Sequence, residues 1–341
     1  MYFSKREQLL FGLLFVIFIL FLSLNISLGS VSIPIKDVLK GLSGGKMEKE
    51  SWEIILWNFR LPKAITAILI GIALSISGLM MQTLFRNPLA GPYVLGLSSG
   101  ASLGVAFVIL GAGILPSFLE GFLVSNYGIV LASSLGSFLV FLTVILVSQK
   151  MKDTLSILII GLMFGSFTSA LVSVLSYFTT AEKLQKFTFW SMGSISNLSW
   201  NEISLLGIII LIGITLSYMI IKPLDALLLG EKYAQSIGVN YKKTKIIIVI
   251  ATSILAGSST AFAGPIAFIG LAVPHIAKIL FQTSRHHILF LSTIFIGSIT
   301  MLVCDTIAQV PGYELTLPIN AVTSIVGAPI VIWLIVRKKQ F

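Results

Sequence analysis

Ten continuous apolar runs fill most of this sequence: Leu9–Leu24, Ala64–Met81, Tyr93–Leu110, Gly128–Val147, Leu155–Phe178, Ile203–Ile221, Ile246–Ala263, Ile266–Phe281, Ile288–Val303 and Ile319–Val336. A helix needs about 20 mainly apolar residues to cross a bilayer. Hydrocarbon offers no partner to backbone N–H and C=O groups, so only helices and closed barrels span it. The runs are continuous rather than alternating, which excludes a barrel. The expected fold is an all-α polytopic membrane protein: a single transmembrane domain over residues 1–341, about ten transmembrane helices, and little chain left for anything else.

Composition sharpens this. Hydrophobic residues make up 56% of the chain and charged ones only 11%, against about 25% charged in ordinary soluble domains. Mean hydropathy is +1.01. A soluble domain could not hide so much apolar surface. A soluble enzyme, a disulfide scaffold and a receptor with a large extramembrane domain are therefore excluded. The formal charge of +10 would point a soluble protein toward nucleic acid, but no basic stripe or basic helix with interleaved aromatics is present. In a polytopic protein, excess Lys and Arg marks the cytoplasmic loops instead. The single cysteine, Cys304, lies in an apolar run, so no intrachain disulfide forms. Lys5-Arg6 precede the Leu9–Leu24 run, which is long for a signal-peptide core and is followed by no clear small-x-small cleavage site; it is expected to be an uncleaved first span.

Charge orients the spans. With the N-terminus inside, the inner segments hold Lys5, Arg6, Arg86, Lys150, Lys152, Lys222, Lys242, Lys243, Arg285 and the Arg337-Lys338-Lys339 tail. Most outer basic residues fall in one long loop, where charge weighs less in setting topology. Both termini are thus expected to be cytoplasmic. The inner segment 222–245 is the largest on its side. The outer stretch Thr179–Asn201 has room for a short interfacial helix.

Within the inner segment, Leu227 to Gly238 reads as a short amphipathic helix. Leu227, Ala234 and Ile237 share one side, Glu231, Lys232 and Gln235 the other, and Gly238 is a plausible C-cap. Such a helix suits a groove on a partner or the lipid headgroups, and physics alone does not choose. Two Ala-Gly-Pro runs, at Ala90-Gly91-Pro92 and Ala263-Gly264-Pro265, lie on opposite sides of the membrane, each leading into a span with a glycine soon after, Gly96 and Gly270. An inverted repeat relating spans two to five with spans seven to ten would give this pattern. The fifth span carries Ser166, Ser169, Ser173 and Ser176 at spacings of three and four, which suits either a polar wall of a path or close packing of helices.

Intramembrane charge is nearly absent, Asp305 being the main case, whereas an ion-coupled carrier uses buried carboxylates or histidines as relays. His275, His286 and His287 lack the neighbours of a metal site, and none is expected. Leu42-Ser43-Gly44-Gly45-Lys46 looks like an ATPase signature but lies in the outer loop. The chain has no G-x-x-x-x-G-K-[ST] phosphate loop, so any ATP hydrolysis belongs to a separate subunit.

Together these motifs resemble one family. Arg60-Leu61-Pro62-Lys63, Gly71 to Gln82, Arg86-Asn87-Pro88-Leu89-Ala90 and Leu95 to Ala101, then Gly264 to Leu271, Val273 to Lys278, Asp305-Thr306, Glu314-Leu315, Pro318-Ile319 and Gly327-Ala328-Pro329 are similar to the FecCD-type permeases. These are membrane subunits of ABC importers for iron–siderophores, haem and vitamin B12. The match runs from about Gly29 to Arg337. The resemblance implies a vitamin B12 importer permease-like fold of the type II ABC importer class, with ten spans and an inverted repeat, in the bacterial inner membrane. It also implies a homodimer around a central path, two cytoplasmic ATPase subunits that carry ATP and Mg, an extracytoplasmic substrate-binding protein, and no cofactor on this chain.

Residue by residue, the resemblance makes Leu227, Gly230, Glu231, Ala234, Gln235 and Gly238 the ATPase-coupling helix. Arg60 and Lys63 become docking residues for the binding protein, and Asn87 and Leu89 a cytoplasmic gate. Ser166, Ser169, Ser173 and Ser176 become path lining. Gln309 stands where family members often carry a third basic residue. The expected function is ATP-driven import of an iron chelate by alternating access, or of vitamin B12 by the same route. An ion-coupled secondary carrier and a non-transporting membrane scaffold are the alternatives from other classes.

Overall fold

The computed structural model describes residues 3–111, 121, 123, 125–150, 154–196, 198–310, 312 and 316–338. Its elements are α1 (Lys5–Ser27), α2 (Ile35–Leu42), α3 (Glu50–Ile55, continued by a π-helical turn, Leu56–Arg60), α4 (Leu61–Leu84), α5 (Leu97–Ile109), α6 (Asn126–Lys150), α7 (Thr154–Tyr177), α8 (Ala181–Ser191), α9 (Trp200–Met219), α10 (Ile221–Leu228), α11 (Glu231–Ser236), α12 (Tyr241–Ala263), α13 (Ile269–Phe281), α14 (His286–Ala308) and α15 (Ile319–Lys338). No strand occurs among the described residues. Glu314, Leu315, Lys152 and Lys339, named above, lie outside them.

Local chemistry sets the helix ends. Ser4 Oγ accepts from the N–H of Glu7 while the Glu7 carboxylate accepts from the N–H of Ser4, a capping box that opens α1. Ser199 and Glu202 do the same for α9, and Asn240 caps α12 through the N–H of Lys243. Among the described residues, seven helices are long and apolar enough to cross a membrane, and α5, α13 and α15 are shorter apolar helices. At 13 residues, α5 and α13 are about 20 Å long and cannot cross alone. Each is preceded by an Ala-Gly-Pro turn, which leads through a 3-10 turn, Pro92–Leu95, into α5 and through irregular chain into α13. Gly96 (φ 74) and Phe268 (φ 67) begin the two helices in the left-handed region.

The packing repeats this equivalence. α4 packs on α14 and α13, and α5 on α6 and α7; correspondingly, α12 packs on α6 and α5, and α13 on α14 and α15. Exchanging α4, α5, α6 and α7 for α12, α13, α14 and α15 maps one set of contacts onto the other, an internal repeat that pairs the spans as the sequence suggests.

The core centres on α4, 78% buried over its most apolar stretch, against 17% for α1 and 11% for α7. Small residues allow this, since lipid gives helices no hydrophobic reason to associate and close backbone approach must supply the attraction. A side chain at Gly71 would fall on the carbonyl of Gly297, and one at Gly78 on that of Gly270. The long outer loop that collects most of the outer basic residues holds α2 and α3, fixed by buried Ile33, Val38, Trp52 and Leu56.

Candidate functional site

After α9 the chain turns through two short helices. Ile221, Leu224 and Leu227 of α10 and Ala234 of α11 are buried and fix the pair to the bundle. The single helix expected over Leu227–Gly238 is not what forms. Gly230 adopts φ 120, ψ 151, a conformation essentially reserved for glycine, and no helix continues through it. The break re-aims the second helix, so Ile237 does not share the buried side of Leu227 and Ala234. It is exposed, together with Leu229 and Tyr233. Glu231 accepts from Gln235 Nε2 at 3.2 Å across one turn. Gly238 (φ 90) closes α11: its N–H donates to Gln235 O at 3.0 Å and that of Val239 to Ala234 O at 2.9 Å, a Schellman arrangement.

This pair abuts the turn that follows α4. A side chain at Gly230 would lie 3.5 Å from the Arg86 guanidinium. Asn87 Oδ1 accepts from the N–H of Leu89 at 2.9 Å, holding the turn and leaving Leu89 exposed. Leu229, Tyr233, Ile237 and Leu89 give this end of the molecule an apolar, knobbed surface on a buried base.

Beneath it a polar chain joins three helices. Asp225 Oδ1 on α10 accepts from the backbone N–H of His286 at 2.8 Å and lies 2.7 Å from its Nδ1. His286 Nε2 lies 2.8 Å from Thr83 Oγ1 on α4, and Thr83 donates to Leu79 O at 2.9 Å. His286 and Thr83 are buried. Burial pushes the Asp225 carboxyl up, but the two hydrogen bonds from His286 and the nearby charge of His286 and His287 outweigh it and hold the group below the ordinary carboxylate value. Sequence reasoning names His286 only among histidines that lack the neighbours of a metal site and misses Asp225 and Thr83. No local spacing ties positions so far apart.

At the opposite end of the bundle, the two basic residues expected to dock a partner are held within the chain. Arg60 is buried and donates to Ile26 O at 3.1 Å and Val31 O at 2.7 Å, clamping the chain after α1. Lys63 pairs with Asp305 at 3.0 Å, and Asp305 also accepts from Asn25 at 2.9 Å and from Gln309 at 2.8 Å. Gln309 therefore serves this internal knot. Lys63 and Asp305 also line a cavity of about 230 Å³ with Ser194, Ser196 and Thr316.

On α7, Ser166, Ser169 and Ser173 are exposed on the surface of the chain and Ser176 is partly so, among exposed Met163, Phe167 and Val174. Ser166 and Ser173 donate to carbonyls one turn back. Among the described residues, then, Ser166, Ser169 and Ser173 are not buried by helix packing within the chain.

The sequence profile of the FecCD transport family matches residues 15–337. The vitamin B12 import system permease protein BtuC of Citrobacter koseri is 34% identical over 289 residues, 84% of each chain. An ABC transporter permease protein of Methanocaldococcus jannaschii is 33% identical over 348 residues, covering 96% of this chain and 97% of that one. A solved structure described as an inward-facing conformation of a metal-chelate type ABC transporter superposes with a TM-score of 0.83 at 27% identity, over 97% of this chain and 99% of that one. PsaBC from Streptococcus pneumoniae shares the fold at a TM-score of 0.56 and 16% identity.

Proposed function

The chain belongs to the FecCD transport family and is an ABC importer permease of that type; from this we propose that it moves a large metal chelate inward across the bacterial cytoplasmic membrane, driven by a separate ATPase. ABC importer permeases work with ATPase and substrate-binding partners. The observation that carries the coupling assignment is the α10–α11 pair. Its base is buried through Leu227 and Ala234 while Leu229, Tyr233 and Ile237 project, the form of a knob that fits a groove on another protein. Adjacent Asn87 and Leu89 sit where a gate would be moved by that knob. The basic inner loops support cytoplasmic termini.

The exposed serine and apolar face of α7 supports a homodimer whose path runs between the two copies. Two such faces would enclose a weakly polar chamber, suited to a large cargo that must also leave easily. Arg60 and Lys63 contribute to docking of a binding protein by shaping the outer rim rather than as free surface charges. The cargo class follows from relatives named for vitamin B12 import and for metal chelates. A corrinoid is the first candidate and a ferric siderophore or haem the second. The decisive experiment is ATP-dependent uptake by vesicles holding the assembled complex, with cyanocobalamin and a ferric hydroxamate as probes. Uptake of either that stops without ATP supports the reading. Uptake driven by a proton or sodium gradient with no ATPase subunit present overturns it in favour of a secondary carrier.

A further inference from the structure

α4 and α14 lie against each other for most of their lengths and are tied at both ends. At one end Lys63 of α4 pairs with Asp305 of α14 at 3.0 Å. At the other Thr83 of α4 meets the ring of His286, the first residue of α14, at 2.8 Å. Between them the backbones touch at Gly71 and Gly297. Two helices pinned at three points along about 30 Å move as one body.

Asp225 grips that body. α14 has no capping side chain of its own, and the Asp225 carboxylate from α10 fills the role, taking the first backbone N–H and facing the imidazole with the same oxygen. A carboxylate at a helix N-terminus is favoured by the exposed N–H groups there. Nδ1 of His286 donates to Asp225, because a carboxylate only accepts, and a hydrogen bond to an ionised acceptor is the stronger kind. Nε2 carries the chain on to the Thr83 hydroxyl at 2.8 Å, and that hydroxyl also lies 2.9 Å from Leu79 O.

We propose that the Asp225–His286–Thr83 chain is the mechanical link through which displacement of the α10–α11 pair moves the α4–α14 body, and with it the Arg86–Ala90 turn that begins three residues after Thr83. These are positioning residues, and the proposal rests on the importer reading above. Without the link, α10 would touch that body mainly through apolar side chains, which slide more readily than directional bonds.

The test uses the assembled complex with its ATPase. Thr83→Val keeps the shape of the side chain and removes the hydroxyl that meets His286, whereas Thr83→Ser keeps it. Thr83→Val is expected to lower substrate moved per ATP hydrolysed by up to about tenfold, the factor set by losing one hydrogen bond, with the complex still assembled. Thr83→Ser should stay near wild type. A purely structural role would lower assembly, hydrolysis and uptake in proportion and leave the ratio unchanged, and that result overturns the link. Nitrogen NMR of labelled histidine in the unmutated protein provides a second readout, since only three histidines are present. A His286 Nδ1 that carries no proton cannot donate to Asp225, and that result overturns the link whatever the variants do. Absence of ATP-driven uptake by the unmutated complex would instead overturn the importer reading, and the link with it.

Discussion

Lys63 Nζ lies 3.0 Å from Asp305 Oδ1, with Asp305 almost fully buried and Lys63 nearly so. This pair closes the end of the α4–α14 contact opposite to Thr83 and His286. Removing one partner of a buried pair leaves the other charge unsatisfied, whereas replacing both with apolar groups is often harmless. Asp305→Ala is expected to lower stability by about 3–5 kcal/mol, and the double change Lys63→Met, Asp305→Leu to recover most of that. Thermal unfolding of the detergent-solubilised protein checks both. Equal losses in the single and double variants would show that the pair does not act as a unit.

Close backbone contact makes a second prediction. A methyl group at Gly71 or Gly297 would meet the opposite carbonyl, so Gly71→Ala and Gly297→Ala are each expected to cost about 1–3 kcal/mol or more through overpacking. Gly44→Ala has open space around it but a φ of 76, so its cost is backbone strain alone. A stability ranking with Gly44→Ala as the worst of the three would contradict this account of α4.

Gly230 bears on function more than on stability. At φ 120, Gly230→Ala carries backbone strain on the order of 1–3 kcal/mol. A local rearrangement that relieves it would re-aim Leu229, Tyr233 and Ile237. The expected outcome is an inserted, folded chain that no longer retains its ATPase on purification. Normal co-purification and uptake would remove the α10–α11 pair from the coupling role.

The serine face of α7 is tested by bulk. Ser173 is exposed on the chain, so Ser173→Trp is expected to leave folding intact and to block uptake. In a Cys304→Ser background, Ser173→Cys should react with a water-soluble thiol reagent in one nucleotide state more than in the other. Full transport by Ser173→Trp, with no labelling in any state, would place this face against lipid.

Acid dependence follows from Asp225. Its carboxyl is held below the ordinary carboxylate value, since the bonds and charge from His286 and His287 outweigh burial. The folded state therefore binds fewer protons than the unfolded one between the two pKa values, and stability rises with pH there. The contribution of Asp225 is complete above the unfolded-state value and is lost as pH falls through the depressed one. Asp225→Asn should remove that part of the acid limb in unfolding measured against pH. The side chain is partly exposed, so the effect is modest. Superimposable acid limbs for the two proteins would count against the grip on α14.

The helical, membrane-spanning class was legible in the sequence because it depends on local quantities: run length, apolar content and the need of each backbone segment to satisfy itself in hydrocarbon. The two Ala-Gly-Pro turns announced the repeat for the same reason, since a proline next to a glycine interrupts a helix wherever it stands. Gly230 carried a local signal too, and the expectation of one helix through it failed by weighing side-chain periodicity above backbone freedom. What the tertiary structure alone decided is which polar groups meet. Arg60 and Lys63 have the composition of surface charges, yet the fold turns them onto Ile26, Val31 and Asp305. Thr83 finds His286 across 203 residues and Asp225 finds it across 61. A hydrogen bond requires two groups within about 3 Å, and packing of distant helices, not spacing along the chain, determines whether they come that close.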